Sequence, residues 1–493
     1  MFKPLAKEKW DYTTAAHLLN RAGFGGTPEE IEHLAGMEPG QAVSHLVDYE
    51  KVSDNSSNPE WAKPDPTRVD RYLEIRKADP QKRQEMIREE QRSQRQRLVE
   101  LKHWWLLRMA KGPRPLQEKM VLFWHGHFAT SAEKVRDAYL MWKQNDLFRQ
   151  NATGNWLRML VAVAKDPAML VWLDQAQSRK EHPNENFARE VMELFTLGEG
   201  HYTEKDITEA ARALTGWTFD RPNQQFMERP RFHDDGVKTV LGRTGNLSGE
   251  DVLEQIVSQP QAARFITAKL WNFFAGEIPS DEMVTALAEV FRKSGNNFKP
   301  LLATIFRSEE FYADSIIRNQ VKSPVQWLVG SVRVLERELP PPFVCFGLTR
   351  NLGQDLFQPP NVKGWDGGLS WITTNNLLSR YNEAAVLVQG DLSMAKGLNL
   401  GNGGGGGAGK AMLDRMANMK LRPVDAAKLI PETERTDKQK LVAALEKRLL
   451  QSKLRGKQEQ TLREYLDSQT TLDDAVVLNT IRLMMSTPEY QLT

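Results

Sequence analysis

The chain has 493 residues, of which 40% are hydrophobic and 26% are charged, so it can form a large globular core. Its 66 basic and 64 acidic side chains give a formal net charge of +2, which excludes strong electrostatic steering of nucleic acid. The single cysteine excludes an intrachain disulfide, and no apolar run is long enough for a membrane-spanning helix. Because the first ten residues lack the apolar core of a secretory signal, we expect a soluble, cytoplasmic protein unless a partner exports it.

The first hundred residues predict two small units. Residues 1–50 are typical of a helical hairpin, since a glycine-rich turn leads to Thr27, a favoured N-cap residue, and Pro28, which suits the first helical position. Residues 51–100 predict a variable loop and then a charged helix, because Ser, Asn, Asp and Pro give way to Arg, Gln and Glu.

The rest of the chain predicts a helical core, followed in sequence by two further units. Residues 101–385 show apolar side chains at helical spacing, with short strands or a hairpin expected near residues 230–245. Residues 386–436 predict a flexible linker, since residues 401–409 include five consecutive glycines. Residues 437–493 predict C-terminal helices that pack back on the core. The predicted fold class is therefore mainly α with minor β.

The segment from Asn184 to Leu197 predicts an amphipathic helix with a distinctive polar face. At 100° per residue, one arc of this helix carries Asn186, Arg189, Glu190 and Glu193. Either this face is simply solvated, or it lines a site. In a site, Glu190 and Glu193 would be acid/base or metal-binding carboxylates, Asn186 would bind substrate, and Arg189 would bind substrate or clamp a carboxylate.

Two pairs of side chains are candidates for metal binding. His125 and His127 follow an apolar run, and Gly126 between them is predicted to end the helix in a left-handed turn. Imidazoles this close can ligate a divalent metal, shuttle protons, or serve as core and capping residues. His233 and Asp234 give either two further ligands or an ordinary polar turn.

The remaining substrate-binding candidates lie in other segments of the chain. They are Lys238, Lys363, Trp365 and Trp217. Trp365 lies in a loop rich in proline and glycine, where an aromatic ring can either stack on a sugar or anchor the loop in the core.

Most of these residues lie in motifs that occur in a fixed order along the chain. The motifs are HLLNRAGFG (17–25), FWHGHFATS (123–131), HPNENFAREVMELFTLG (182–198), ALTGW (213–217), HDDGVKT (233–239), VKSP (321–324) and PPNVKGW (359–365). In this order they resemble the bacterial family called domain of unknown function 1800, DUF1800. The resemblance implies a helical domain, often encoded beside a sulfatase-like protein, with no settled activity. Many relatives carry export signals, and this chain departs from that pattern.

Two hypotheses follow for the function. The first is an enzyme or binding protein for a polar, carbohydrate-like molecule, with or without a divalent metal. It predicts that six side chains surround one cavity, namely His125, His127, Glu190, Glu193, His233 and Asp234. The second is a scaffold or chaperone-like partner of the sulfatase-like protein, in which the polar motifs would lock helices together.

Overall fold

Helices make up most of the protein in the computed structural model, which describes residues 2–393 and 421–493. The predicted mainly α fold class is confirmed. The glycine run at residues 401–409, interpreted from the sequence as part of a linker, lies outside the described residues. None of the described helices has both the length and the apolar character needed to cross a lipid bilayer.

The helices are short to medium in length, apart from one long helix, α5. Those before the first strand are α1 (Tyr12–Ala22), α2 (Pro28–Ala35), α3 (Pro39–Val47), α4 (Arg68–Lys77), α5 (Pro80–Lys111), α6 (Pro115–His127), α7 (Ala132–Val135), α8 (Ala138–Gln150), α9 (Trp156–Ala164), α10 (Pro167–Trp172), α11 (Glu185–Glu190) and α12 (Glu204–Ala213). Those after the last strand are α13 (Gly249–Ser258), α14 (Pro260–Ala275), α15 (Asp281–Lys293), α16 (Phe298–Arg307), α17 (Pro324–Val334), α18 (Pro342–Asn351), α19 (Thr374–Gln389), α20 (Ala426–Leu429), α21 (Lys438–Leu445), α22 (Gly456–Asp467) and α23 (Asp474–Met485). Two π-helical segments, Val191–Thr196 and Glu446–Leu450, directly continue α11 and α21.

Two antiparallel hairpins follow α12. They pair β1 (Trp217–Asp220) with β2 (Gln225–Glu228), and β3 (Lys238–Val240) with β4 (Arg243–Gly245). The second hairpin confirms the strands expected near residues 230–245. The first was not predicted, because strands of four residues are too short to show a clear alternation of polar and apolar residues.

Local capping chemistry explains how several helices begin. At the start of α2, Thr27 accepts a hydrogen bond from the Glu30 amide, and the Glu30 side chain accepts one from the Thr27 amide. Pro28 then occupies the first helical position, where its missing N–H costs nothing. The cap predicted from the sequence is therefore present, and it is the reciprocal form known as a capping box.

One continuous set of buried apolar side chains runs from Leu5 to Tyr490. The last α-helix, α23, packs against α19. The two described ends beside residues 394–420 are joined by backbone hydrogen bonds, from the Leu421 amide to the Gly390 carbonyl (3.3 Å) and from Val424 to Val388 (2.9 Å). Residues near the C-terminus therefore share a core with the first helices.

A buried ionic cluster joins α5, α6 and α8 around Glu118. Its carboxylate accepts hydrogen bonds from Arg108 Nε (2.8 Å), Arg149 Nε (2.7 Å) and Trp105 Nε1 (2.9 Å). Burial alone would raise the pKa of Glu118, but the charges and hydrogen bonds of Arg149 and Arg108 outweigh it and hold the pKa below its usual value of 4.5. The carboxylate is therefore ionised at neutral pH and fully paired.

Replacing this carboxylate should strongly destabilise the fold. We expect Glu118→Gln to lower the free energy of unfolding by about 3 to 5 kcal/mol, because it removes the buried negative charge that Arg108 and Arg149 share and leaves each arginine with only its second partner, Asp54 or Asp146. Since the folded pKa lies below the unfolded one, the stabilisation by Glu118 is present above pH 4.5 and is lost as the pH falls. Urea unfolding of both proteins between pH 4 and 7 measures this. As a control, Glu338→Gln at the exposed pair with Lys111 should change little, and equal effects of the two variants would contradict the prediction.

Candidate functional site

The longest sequence motif forms an α-helix that changes into a π-helical turn. α11 begins after Asn184, whose side chain accepts the Phe187 amide hydrogen, and it ends at Glu190. The next six residues, Val191–Thr196, are π-helical. The single amphipathic helix predicted over residues 184–197 is thus wrong in its second half. A π-helical turn frees carbonyl groups from the α-helical pattern and is frequent at functional sites.

Side chains from two other helices satisfy the carbonyl groups in and just after this turn. His127 Nε2, at the end of α6, donates to the Phe195 carbonyl at 3.0 Å. From α14, Lys269 Nζ donates to the Leu194 carbonyl at 3.1 Å, and Gln261 Nε2 donates to the Leu197 carbonyl at 3.0 Å. The turn is therefore held by an imidazole, an amine and an amide.

His127 is held as one neutral tautomer. Because Nε2 donates to a carbonyl, it carries the hydrogen, and Nδ1 is left as an acceptor that faces Lys269 Nζ at 3.4 Å. Burial, together with the positive charge of Lys269, lowers the pKa of His127 well below its usual 6.5. Its ring packs in an aromatic cluster that includes Trp124, Phe128 and Phe195.

Lys269 is a largely buried amine that forms no ion pair with any carboxylate in the described part of the chain. Its Nζ lies 4.7 Å from the centre of the Phe265 ring, one turn earlier on α14. Burial lowers the pKa of Lys269 to about 8. Roughly a tenth of this amine is therefore unprotonated at pH 7, far more than for an ordinary lysine.

The two predicted carboxylates lie beside the turn in different environments. Glu193 accepts a hydrogen bond from the Tyr202 hydroxyl at 2.7 Å. Glu190 is partly buried and has no hydrogen-bond partner among the residues that the structure describes. Burial and then the charge of Glu193 raise the pKa of Glu190, while Lys363 and Arg189 act in the opposite direction. Lys363 is thus close enough to influence Glu190.

Arg189 does clamp a carboxylate, but that carboxylate belongs to Glu204 at the start of α12. The two guanidinium nitrogens donate to the two carboxylate oxygens at 2.8 and 2.6 Å. Asn186 is exposed on the same helix and makes no side-chain hydrogen bond within residues 2–393 and 421–493. Arg189 therefore ties α11 to α12 and leaves Asn186 accessible.

The loop that carries Lys363 and Trp365 lies against the end of α6. Gly364 has a φ of +85°, and a Cβ at this position would stand 2.4 Å from the Gly126 carbonyl oxygen. The Trp365 ring packs 5.6 Å from the ring of His125, whose Nε2 accepts the Phe357 amide hydrogen at 3.0 Å. Gly126 itself lies inside α6 without a positive φ, so its predicted helix-ending role is wrong.

The other candidates lie in the region of the two hairpins, with Trp217 on β1 and the rest at or just before β3. His233 Nδ1 donates to the Thr215 carbonyl at 3.0 Å, and Asp234 is paired with Arg212 at 2.7 Å. Lys238 is fully buried, with its Nζ on the Gly236 carbonyl at 3.1 Å. Trp217 is 2% exposed, too deeply buried for a substrate to reach.

The six residues expected around one cavity thus fall into two groups. Arg189, which precedes Glu190 in the chain, pairs with Glu204 at the start of α12, whereas Asp234 pairs with Arg212 near its end, about 12 Å further along the helix axis. Among the described residues, no three His, Cys, Asp or Glu side chains cluster so that they could hold a metal ion. The expected metal set of His125, His127, His233 and Asp234 finds no support in this geometry, because each is engaged by backbone or arginine.

Sequence reasoning missed Tyr202 and Lys269. Lys269 is the single cation within the apolar stretch from Phe265 to Ala275 of α14, a pattern that marks a buried amine. Tyr202 follows the glycine-rich end of the longest motif, where the chain turns back toward Glu193. Both lie close to motif residues in space, which the sequence alone does not display.

The fold and site define a mainly α-helical protein with a polar site built around a π-helical turn. The family model described as "Protein of unknown function (DUF1800)" matches residues 17–492. The chain belongs to this family, as the resemblance indicated. Neither a curated protein nor a solved structure has a significant match to it.

The arrangement predicts that His127 does not titrate in the physiological range. Its imidazole should remain the neutral Nε2–H tautomer from pH 8 to pH 5, because its pKa lies well below 6.5. The unfolded chain takes up that proton, so this histidine should reduce stability as the pH falls below 6.5. Nitrogen-15 NMR of the imidazoles, assigned with a His127→Gln variant, tests this. A titration midpoint near 6.5 would refute it.

Proposed function

We propose that this protein is an enzyme that performs acid–base chemistry on a polar, hydroxyl-bearing, carbohydrate-like molecule. Glu190 donates the proton, and Glu193, which accepts the Tyr202 hydroxyl hydrogen, acts as the proton acceptor. The observation that carries the proposal is the difference between these two carboxyl groups. Glu190 has a raised pKa and no hydrogen-bond partner among the described residues, whereas Glu193 is held by Tyr202. Neighbouring carboxyl groups in unequal environments divide naturally into an acid and a base.

The surrounding side chains support a polar ligand at this position. Lys363 and Asn186 are exposed, and neither side chain has a hydrogen-bond partner among the described residues, so both can donate hydrogen bonds to a ligand. Trp365, two residues after Lys363, is partly exposed and offers a flat apolar surface of the kind that packs on sugar rings. In this proposal His125 and His127 position the loop and the turn rather than transfer protons.

Substitution of Glu190 should separate the acid role from a structural one. We expect Glu190→Gln to reduce kcat by at least about 100-fold on any substrate that the protein turns over, because the amide has no acidic proton to give. Activity should also fall as the pH rises through the raised pKa of Glu190, since the protonated form is required. A panel of aryl glycosides and oligosaccharides provides the substrates.

The matched control is Glu185→Gln, an exposed glutamate on the same helix, which should behave like the unchanged protein. Carbon-13 NMR of the glutamate carboxyl groups gives the pKa of Glu190 directly, without a substrate. A Glu190 pKa at or below about 4.5, the ordinary glutamate value, would overturn the proposal. So would full activity of Glu190→Gln.

A specific observation also favours the second hypothesis, a scaffold for a sulfatase-like partner. Several polar side chains in the motifs, or in contact with them, bind backbone carbonyls within the fold. His17 Nε2 donates to Phe311 at 3.0 Å, Lys119 Nζ to Gly23 at 2.8 Å, and Arg21 to Phe274 at 2.8 Å. Such bonds lock helices together, as a scaffold requires.

Co-expression with a sulfatase-like protein encoded beside a family member distinguishes the two hypotheses. A stable complex on size-exclusion chromatography that is unaffected by Glu190→Gln, without turnover of any glycoside, would favour the scaffold. Separate elution of the two proteins would remove that alternative.

A further inference from the structure

Next to the π-helical turn, a groove opens between α14, the start of α15 and the loop that carries His201. We call it the α14 groove. Its lining includes His201, Gln261, Phe265, Lys269, Asn272 and Ile278. Its volume of about 530 Å³ lies within the range of small-molecule sites.

We propose that the α14 groove binds a small aldehyde or ketone and that Lys269 Nζ attacks its carbonyl carbon to form an imine. This reaction is separate from the chemistry proposed for Glu190 and Glu193. It uses an amine that lines the groove, and the two glutamates are not among the groove's lining residues.

The hydrogen bonds of Lys269 present its amine as a nucleophile. A neutral amine has two hydrogens and one lone pair. The two acceptors beside Nζ, the Leu194 carbonyl at 3.1 Å and His127 Nδ1 at 3.4 Å, match the two hydrogens and leave the lone pair for an electrophile. No carboxylate in the described part of the chain pairs with Lys269 to hold it as an ammonium ion.

The environment also favours the neutral form. Burial lowers the pKa of Lys269 to about 8, so roughly a tenth of it is unprotonated at pH 7. A desolvated lysine in a partly apolar site is a recognised form of activated amine nucleophile. The Phe265 ring and the exposed Ile278 supply the apolar part of this site.

Asn272 can assist the addition step. It lies three residues after Lys269, on the same face of α14, and its side-chain amide has no partner among the residues that the structure describes. Its N–H can therefore donate to the carbonyl oxygen as negative charge develops there.

The reaction balances without an oxidant or a cofactor. The nitrogen lone pair forms the N–C bond, and the carbonyl π electrons move to oxygen, which takes one proton to give a carbinolamine. The nitrogen then forms the C=N bond as the hydroxyl group leaves with a second proton. Both amine hydrogens end in the released water, and His127 Nδ1 is the neighbouring acceptor through which a proton can pass.

Reductive trapping on the full chain tests this proposal. The protein is incubated at pH 7 with propanal, glyoxylate or pyruvate and sodium cyanoborohydride, and the modified lysines are located by peptide mass spectrometry. We expect Lys269 to be modified at least about tenfold faster than the median exposed lysine with at least one probe, because its neutral fraction is far larger. Modification of Lys269 at the median rate or below with all three probes overturns the proposal.

Lys322 is a matched internal control. It is also partly buried, with its pKa lowered to about 7, chiefly by burial, but the cavity beside it measures only about 20 Å³. We therefore expect Lys322 to remain unmodified although its pKa is lower than that of Lys269. Equal modification of the two lysines would indicate local opening of the chain instead of a binding groove, and would also overturn the proposal.

A variant gives a second readout. Lys269→Arg keeps a donor for the Leu194 carbonyl but has no nucleophilic amine. We expect it to retain the helical circular dichroism spectrum and to lose the trapped adduct on the peptide that contains position 269, with other lysines unchanged. Persistence of a probe adduct on that peptide would contradict the assignment.

Discussion

The candidate site depends on the need to satisfy the carbonyl groups of the π-helical turn Val191–Thr196. Leaving such a buried acceptor without a partner costs about 1 to 3 kcal/mol, so other side chains must reach it. His127 and Lys269 meet this need from two different helices. These hydrogen bonds fix the position of the turn that carries Glu193, and they fix the position of the Lys269 amine.

The same requirement explains the unusual electrostatics of the site. Lys269 is surrounded by a carbonyl, a neutral imidazole and an aromatic ring, which stabilise an ammonium ion less than a carboxylate would. Glu118, in contrast, is buried with two arginines and remains ionised. Glu118 is thus a buried charge that is fully paired, whereas Lys269 is an amine without a carboxylate partner among the described residues, the kind of environment associated with chemical function.

The sequence alone predicted the mainly helical fold class, the hairpin near residue 240, the helix cap at Thr27 and the family. It was not sufficient for the π-helical turn, because hydrophobic periodicity near 100° per residue fits an α-helix and a short π-helical turn almost equally well. Nor did it reveal that Trp217 and Lys238 are buried, since both residue types also occur at exposed sites. The partners of His125, His127 and Asp234 come from distant segments and appear only when the chain is folded.

The contact between Gly364 and the Gly126 carbonyl bears on how sequences of this family can be compared. Any side chain at position 364 would push the loop away from α6. Glycine is therefore required there for steric reasons, whatever the function of the protein. In relatives, retention of this glycine would report only that the loop still packs on α6. Glu190 makes no hydrogen bond among the described residues, so its replacement in a relative would report loss of the chemistry proposed for it and not loss of the fold.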